Sequence, residues 1–143
     1  MNNLTPVSTI MKPFKDVITV GPEDSLITIQ EILKENRFHH IPVINKYKLV
    51  GIISKTDFFK ASLDISAAGF VIDEKSLSEK KVSQYMTEKM VKIQSKERVD
   101  VAALLFKENR FHCLPIVNDN QELEGIITPF DILKHSFKLT QVY

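Results

Sequence analysis

A ten-residue stretch occurs twice in this chain with only small differences, and that repetition constrains the fold more than any other feature. ENRFHHIPVI at 35–44 returns as ENRFHCLPIV at 108–117, 73 positions later. The similarity extends in both directions, from 17–45 onto 90–118 at the same offset and from 49–60 onto 123–134 at an offset of 74. A self-similar period indicates one structural unit used twice. We therefore expect a pair of units that bury one face of each against the other.

Each copy predicts the same order of elements: strand, helix, strand, strand, helix. VITV (17–20) and MVKI (90–93) predict short strands, HIPVI and CLPIV predict apolar strands, and LVGIIS and LEGIIT predict strands that return antiparallel to them. Continuous Ile and Val in these strands indicate a sheet that is covered on both faces. The fold class is α/β, of the α+β type, with two pseudo-symmetric β-α-β-β-α units packed through their sheets.

The helices are predicted from apolar spacing and from their ends. One helical face is apolar in both copies, formed by Leu26, Ile29, Ile32 and Leu33 and by Val99, Ala102, Leu105 and Phe106. Asn36 and Asn109 predict the ends of these helices, because Asn tolerates the left-handed conformation of a C-cap. Turns are predicted at NKYK and NDNQE, and second helices from about Thr56 and Pro129.

The repeat also predicts the domain boundaries. The first domain covers 1–62, a linker covers 63–80, and the second domain covers 81–143. We interpret the linker as an extended helix end followed by a turn near Gly69. Its apolar residues are expected to pack on the neighbouring unit or on another chain; they are Ile65, Phe70, Val71 and Ile72.

Composition excludes several classes of function. The net charge of +1, with basic and acidic residues interspersed, gives no case for a nucleic-acid or membrane partner. No apolar run approaches the roughly 20 residues of a membrane span, and the start lacks the pattern of a signal peptide. The four glycines are too far apart for a Gly-rich phosphate loop or a dinucleotide fingerprint. The single cysteine, Cys113, suits a reducing cytoplasm.

The most informative motif is GIISKTD (51–57), repeated as GIITPFD (125–131). One interpretation is structural: a hydroxyl at a helix start with an acid three residues later forms a capping box, and Pro129 fits the first helical position. The other is functional. A helix N-terminus can hold a phosphate, Asp57 or Asp131 can accept hydrogen bonds from both hydroxyls of a ribose, and a glycine permits close approach of a ligand or strand.

These motifs, together with RFHHIPVI and RFHCLPIV and the corresponding Met11 and Met86 loops STIMKP and SQYMTE, resemble a tandem pair of cystathionine beta-synthase (CBS) domains, a Bateman module. The resemblance covers nearly the whole chain. It implies a nucleotide sensor that binds AMP, ADP or ATP, or S-adenosylmethionine or a cyclic dinucleotide, between the two domains. It also implies that two modules pair into a flat disc, a homodimer.

The resemblance implies two pseudo-symmetric sites, each completed by the other repeat. One takes Thr128 and Asp131, with the adenine lined by residues near Ile18, Phe38, His39 and Ile41. The other takes Ser54 and Asp57, completed by Val91, Phe111, His112 and Leu114. Phe38 and Phe111 are larger than the small aliphatics often found there, so they are expected to narrow the clefts. Lys55 offers a phosphate contact in one site, whereas Pro129 and Phe130 offer no charge in the other, so we expect unequal affinities.

The histidines and the cysteine are weaker candidates. Two adjacent pairs, His39–His40 and His112–Cys113, would supply four zinc ligands only if they converged, but neighbouring strand residues point to opposite faces. We expect no metal, and we expect Cys113 not to act as a nucleophile, because its neighbouring His points away. The Phe58–Phe59 pair and Phe130 are expected at an interface between repeats or modules.

The function predicted is a stand-alone regulatory module that binds an adenosine ligand and transmits its level to a protein partner by conformational change. It is not expected to be an enzyme or to carry a catalytic cofactor. The sequence contains no catalytic or transport domain, so its output must pass through a partner or be sequestration. The alternative is a structural or protein-interaction module of the same fold, in which the two motifs serve only as helix caps.

Overall fold

The computed structural model describes residues 4–36, 39–69, 72–109 and 111–138. The regular elements, in chain order, are β1 (Lys12–Pro13), α1 (Leu26–Glu35), β2 (His40–Asn45), β3 (Lys48–Ser54), α2 (Lys55–Ala67), α3 (Glu74–Ser78), β4 (Ile93–Gln94), α4 (Val99–Asn109), β5 (Leu114–Val117), β6 (Leu123–Ile127) and α5 (Pro129–Phe137). Short 3₁₀ turns cover Val7–Thr9, Phe14–Asp16 and Val82–Gln84. This is the mixed α/β architecture that the repeat predicts.

The chain divides into two units, one of which is discontinuous in sequence. We call Ile18–Met90 the middle unit, and Met1–Val17 together with Val91–Tyr143 the split unit. The segment before Ile18 therefore belongs with the second repeat, and the segment up to Met90 belongs with the first. The units thus differ from a simple division of the chain into two consecutive repeats.

The middle unit is built on an antiparallel hairpin. β2 and β3 pair from His40↔Ser54 to Asn45↔Lys48. The two-residue turn between them holds Lys46 and Tyr47 at φ of 51° and 70°, the positive values that a tight hairpin turn of matching twist requires. α1 precedes this hairpin, and α2 and α3 follow it.

The split unit contains a sheet in the order β1-β6-β5-β4. β6 is antiparallel to both β1 and β5, and β4 is parallel to β5. All four residues of β5 are buried, as its continuous apolar sequence predicts. α4 lies between β4 and β5 in sequence, and α5 follows β6 directly.

The first predicted strand of each repeat is shorter than expected. Within 17–20 only Val20 pairs, in an isolated parallel bridge to Val43, and within 90–93 only Ile93 enters a strand, β4. Val20 exchanges hydrogen bonds with Pro42 and Ile44 at 3.1 and 2.8 Å. Two residues further on, Pro22 has no N–H, so the ladder cannot continue beyond Val20 in that direction.

Each unit has its own apolar core, and the predicted helical faces supply it. Leu26 and Ile29 are fully buried in the middle unit, and Ile32 and Leu33 pack against that cluster. Val99, Ala102 and Phe106 are buried in the split unit, with Leu105 packed against them. The periodicity argument is confirmed for both helices.

The two asparagines end their helices differently from the prediction. Asn36 has φ −132° and ψ 154°, which is extended and not left-handed. Its side-chain amide donates to the Ile32 carbonyl at 3.0 Å, and Asn109 Nδ2 donates to Leu105 at 3.1 Å. The Ile32 carbonyl also accepts the Asn36 backbone N–H at 3.0 Å. The side-chain amide therefore adds to the last helical hydrogen bond, and the end at Asn36 does not use a left-handed residue.

The exchange of terminal segments between the repeats follows the same pattern in both units. In the split unit Val7 N–H donates to the Glu97 carbonyl at 2.7 Å and Val99 N–H to the Thr5 carbonyl at 2.8 Å. In the middle unit Val82 N–H donates to Asp24 at 2.8 Å. Val7 and Val82 are both 0% exposed. Each core is thus closed by the segment that precedes the other repeat.

The predicted linker contributes to the middle unit. α2 runs to Ala67 and Gly69 has φ +88°, as the expected helix end and turn require. Ile65 lies in the core of its own unit, contrary to the expectation that it would pack on a neighbour, and Leu77 of α3 joins it there. Ile72 is 44% exposed. Phe70 and Val71 lie outside the described residues.

Candidate functional site

The β3–α2 junction forms a complete capping box. Asp57 N–H donates to Ser54 Oγ at 3.0 Å, and Ser54 N–H donates to Asp57 Oδ2 at 2.9 Å. Both residues are half-buried. The backbone of His39 adjoins the same helix start, because Lys55 N–H donates to its carbonyl at 2.9 Å.

The β6–α5 junction repeats this arrangement with one addition. Thr128 N–H donates to Asp131 Oδ2 at 2.9 Å, and Asp131 N–H donates to Thr128 Oγ1 at 3.3 Å. The Thr128 hydroxyl also donates to Asp131 Oδ2, at 3.0 Å. The structural interpretation of both motifs is therefore confirmed, since each is a capping box with Pro129 at the first position of α5.

The capping boxes leave a defined set of polar groups for anything else. At the start of α2, the backbone N–H groups of residues 54, 55 and 57 already donate within the middle unit. Of residues 54–57, the N–H of Thr56 is the one with no acceptor in the described part of the chain. At α5 the corresponding group is Phe130 N–H, because Pro129 has none. The Oδ2 atoms of Asp57 and Asp131 serve the caps. Oδ1 of Asp131 has no hydrogen-bond donor within the described part of the chain.

The space beside the glycine of each motif is filled by the segment that carries the methionine. A Cβ on Gly51 would lie 2.6 Å from Met86 Sδ, and one on Gly125 would lie 2.8 Å from Met11 Sδ. It would also collide with the Lys12 carbonyl oxygen in the second case. The close approach that the sequence predicts is therefore that of the exchanged segment within each unit.

The remaining predicted site residues fall into groups of different exposure. Ile18 and Val91, equivalent by the repeat, are 37% and 38% exposed. Ile41 and Leu114 are 1% and 0% exposed and lie in the cores of their own units, so neither residue is accessible at the surface. The others divide as follows: His39 and His112 are exposed, Phe111 is half-buried, and Phe38 lies outside the described residues.

Cys113 is poorly suited to nucleophilic chemistry. Burial, together with the neighbouring charge of Asp131, raises the pKa of its thiol to about 12, so the reactive thiolate is scarce at neutral pH. No group of three or more His, Cys, Asp or Glu side chains that could hold a metal ion occurs within the residues described.

Thr87 is a polar neighbour of the Asp57 motif that the sequence did not single out. Its hydroxyl lies 3.4 Å from Oδ2 and 3.5 Å from Oδ1 of Asp57. The available signal was its position directly after Met86, the methionine that corresponds to Met11 across the repeat.

The motifs, the duplicated unit and the exchanged segments define a tandem domain, and its family can be stated. The CBS domain model matches residues 7–64 and again residues 82–138. The chain belongs to the CBS-domain family and carries the domain twice, which confirms the resemblance of the repeats to a CBS pair.

Similar proteins differ in length and in what surrounds the pair. Protein MJ1225 of Methanocaldococcus jannaschii is 27% identical over 126 residues, 85% of this chain and 44% of that protein. The inosine-5'-monophosphate dehydrogenase of the same organism is 38% identical over 121 residues, 84% of this chain and 22% of the enzyme. The chain thus spans less than half the length of either relative.

A solved structure of similar size is CBSX2 in complex with AMP, with a TM-score of 0.79 and 25% identity. The match covers 93% of this chain and 96% of that one, and CBSX2 is a protein of Arabidopsis thaliana. Within the part of the chain that the structure describes, the helices are too short or too polar to cross a membrane.

Proposed function

We propose that this chain is a regulatory module that binds an adenosine ligand of the AMP, ADP or ATP type and is not itself an enzyme. The observation that carries the proposal is the duplicated aspartate: in a chain similar to an AMP complex, each unit holds a half-buried carboxylate whose Oδ2 is fixed by a helix cap. A carboxylate held in this way is oriented before the ligand arrives. Its Oδ1 is the acceptor for a ribose hydroxyl.

Phosphate recognition would use the backbone N–H groups at the helix starts that the capping boxes do not use. Thr56 N–H and Phe130 N–H lie at helix N-termini, where the dipole favours an anion. Lys55 is exposed beside Thr56, with its ammonium 5.9 Å from the Phe59 ring centroid. The residues aligned with Thr56 and Lys55 at α5 are Phe130 and Pro129, so the Asp57 motif has the better phosphate contacts.

The adenine contacts remain a prediction from the family resemblance. Ile18 and Val91 suit an apolar base because each exposes more than a third of its side chain. Ile41 and Leu114 are buried in the cores of their own units, so their proposed role is to support the site from beneath and not to contact the base. The completion of each site by the other repeat, including Phe38, His39, Phe111 and His112, is part of the same proposal.

Calorimetric titration tests the proposal. AMP, ADP, ATP, S-adenosylmethionine and a cyclic dinucleotide are titrated onto the protein, with GMP as the control. We expect at least one adenosine compound to bind, and Asp57→Asn or Asp131→Asn to weaken it about tenfold, because a hydrogen bond to a charged group contributes about 1.5–3 kcal/mol. Asparagine keeps an oxygen for the cap. Asp73→Asn and Asp100→Asn, at the starts of α3 and α4, are matched controls and should bind normally. No binding by any adenosine compound at millimolar concentration would refute the proposal.

To transmit the ligand level to a partner, ligand binding must change the conformation of the module. A ligand shifts a conformational equilibrium only by its differential affinity for the two states. Hydrogen exchange with and without saturating ligand should therefore differ beyond the helix starts themselves. Identical exchange in the two states would remove the regulatory part of the proposal.

We also propose that two copies pair as a homodimer. α2 exposes Phe59 and Leu63 at 55% and 69%, and α5 exposes Phe130, Leu133 and Phe137 at 49–68%, with spacings that give one apolar stripe on each helix. Phe58, by contrast, is core. Sedimentation velocity should give a dimer that Phe137→Asp converts to a monomer. A wild-type monomer at 100 µM, roughly the upper range of such assays, would exclude this pairing.

The alternative function is a protein-interaction module that binds no nucleotide. The complete capping boxes and the exposed apolar helices favour it. It predicts that Asp57→Asn changes stability slightly and no ligand affinity. The cytoplasmic location expected from the single Cys113 remains a prediction under either function.

A further inference from the structure

The Met86–Thr87 dipeptide is held rigidly against the Asp57 motif. Ile52 N–H donates to the Thr87 carbonyl at 2.9 Å, and Thr87 N–H donates to the Ile52 carbonyl at 2.8 Å. The Met86 side chain meanwhile occupies the space over Gly51. The backbone of Thr87 is thus fixed by two hydrogen bonds and a packing contact, and its side chain is directed by the middle unit itself.

The Thr87 hydroxyl is placed between Asp57 and solvent. It lies 3.4 and 3.5 Å from the two carboxylate oxygens, at the outer limit of hydrogen bonding, and the residue is exposed. A hydroxyl carries one donor and two acceptor lone pairs. While it donates to Asp57, it still has acceptor capacity for another group.

Part of the acceptor capacity of the Asp57 carboxylate is already used within the middle unit. Oδ2 already accepts Ser54 N–H at 2.9 Å as part of the cap. The Thr87 hydroxyl also lies 3.5 Å from Oδ1. A ribose with two hydroxyls to donate therefore shares the remaining lone pairs of Asp57 with the cap and with Thr87, and it gains from a further acceptor close by. The Thr87 oxygen is such an acceptor.

The split unit has a different residue at this point. Lys12 pairs with Ile126 as Thr87 pairs with Ile52, and Met11 lies over Gly125 as Met86 lies over Gly51. Lys12 therefore occupies the register position of Thr87. An ammonium group has three donors and no acceptor, so a lysine at this position cannot accept a hydrogen bond from a ribose hydroxyl.

We propose that Thr87 is a specificity-determining residue of the Asp57 site: its hydroxyl donates to Asp57 and accepts a hydrogen bond from one ribose hydroxyl, a role that Lys12 cannot fill at the Asp131 site. This rests on the proposed nucleotide function. It makes the Asp57 site dependent on both ribose hydroxyls, and it distinguishes the two sites by chemistry and not only by fit.

The test combines side-chain and ligand deletions. AMP, 2'-deoxy-AMP and 3'-deoxy-AMP are titrated onto the Asp131→Asn protein carrying threonine, valine or serine at position 87. Thr87→Val should weaken AMP about fivefold, the loss of one hydrogen bond between neutral groups. One of the two deoxynucleotides lacks the ribose hydroxyl that donates to Thr87. Thr87→Val should leave the affinity for that nucleotide unchanged, because the hydrogen bond is already absent. Thr87→Ser should bind AMP within about twofold of threonine.

Several outcomes would overturn the inference. Normal AMP affinity in Thr87→Val would do so alone, as would an equal loss for all three nucleotides, or a serine variant as weak as valine. Loss of AMP binding in Asp131→Asn, with binding intact in the unsubstituted protein, would show that AMP does not use the Asp57 site. Absence of AMP binding in the unsubstituted protein would overturn the inference together with the AMP form of the proposed function.

Discussion

Val7→Ala should destabilise the second repeat, although Val7 lies more than 80 residues before most of that repeat in sequence. Its side chain is 0% exposed and lies in the core of the split unit. Replacing valine by alanine removes two buried carbons, about 1.5 kcal/mol in transfer free energy. A partly relaxed cavity adds about 1 kcal/mol. The expected loss in free energy of unfolding is therefore about 2.5 kcal/mol.

Equilibrium urea unfolding followed by circular dichroism measures that loss, with two companion variants. Val82→Ala, the equivalent substitution in the middle unit, should cost a similar amount, since Val82 is also 0% exposed. Ser8→Ala changes an exposed neighbour on the same segment and should stay within about 0.5 kcal/mol of the original protein.

Hydrogen exchange then locates the effect. Because a local substitution lowers protection most in the cooperative unit to which it belongs, Val7→Ala should weaken amides of β5 and β6 more than those of β2 and β3. Val82→Ala should do the opposite. A larger loss in β2 and β3 on changing Val7 would refute the assignment of the N-terminal segment to the split unit, as would a Val7→Ala cost no greater than that of Ser8→Ala.

Three further predictions follow from the same geometry. Gly125→Ala should lower the free energy of unfolding by about 3 kcal/mol or more, and Gly51→Ala by about 1–2 kcal/mol. The added Cβ meets the backbone carbonyl of Lys12 in the first case and a movable methionine sulphur in the second. Thermal unfolding that ranked the two variants equally would contradict this. Cys113 should react slowly with iodoacetamide in the folded protein until the pH exceeds about 10, whereas the unfolded chain reacts from about pH 8. The fold raises the pKa of that thiol, so above pH 8.5, roughly the ordinary pKa of a cysteine, the unfolded state binds fewer protons than the folded state. Stability should therefore fall as pH rises. Equal alkylation rates for the folded and unfolded chains would contradict the prediction. Ser54→Ala should cost about 1 kcal/mol through the lost cap, measured by urea unfolding, and no change in stability would mean that the cap is not formed in solution.

Much of the fold follows from local pattern. The helical faces of α1 and α4 are correct because burial requires a period of 3.6 residues and both sequences supply it. The helix starts at Ser54 and Thr128 are correct because capping depends on residues three apart in sequence. The ends at Asn36 and Asn109 were placed correctly but for the wrong reason, since neither residue is left-handed and each side-chain amide donates to the carbonyl four residues earlier.

The parts that the sequence left undetermined depend on contacts between distant segments. Only Val20 of the predicted strand 17–20 pairs with β2, and the paired length depends on the position of β2 as well as on Pro22. Ile65 enters its own core because α2 and α3 both pack against α1, which its local sequence does not indicate. The role of Gly51 and Gly125 was described as room for a ligand or a strand, and only the packing of Met86 and Met11 decides between them.

The sequence by itself therefore determined the duplication, the order of elements, the two capped aspartates and the CBS family, because each of these is encoded by residues close together or by exact repetition at long range. The tertiary structure decided which segment closes which core and which side chain stands beside Asp57. An exchange of segments buries the same residues whichever unit receives them, so hydrophobic pattern alone cannot assign them. The hydrogen bonds of Val7, Val82 and Thr87, together with the packing of Met11 and Met86, assign each segment to its unit.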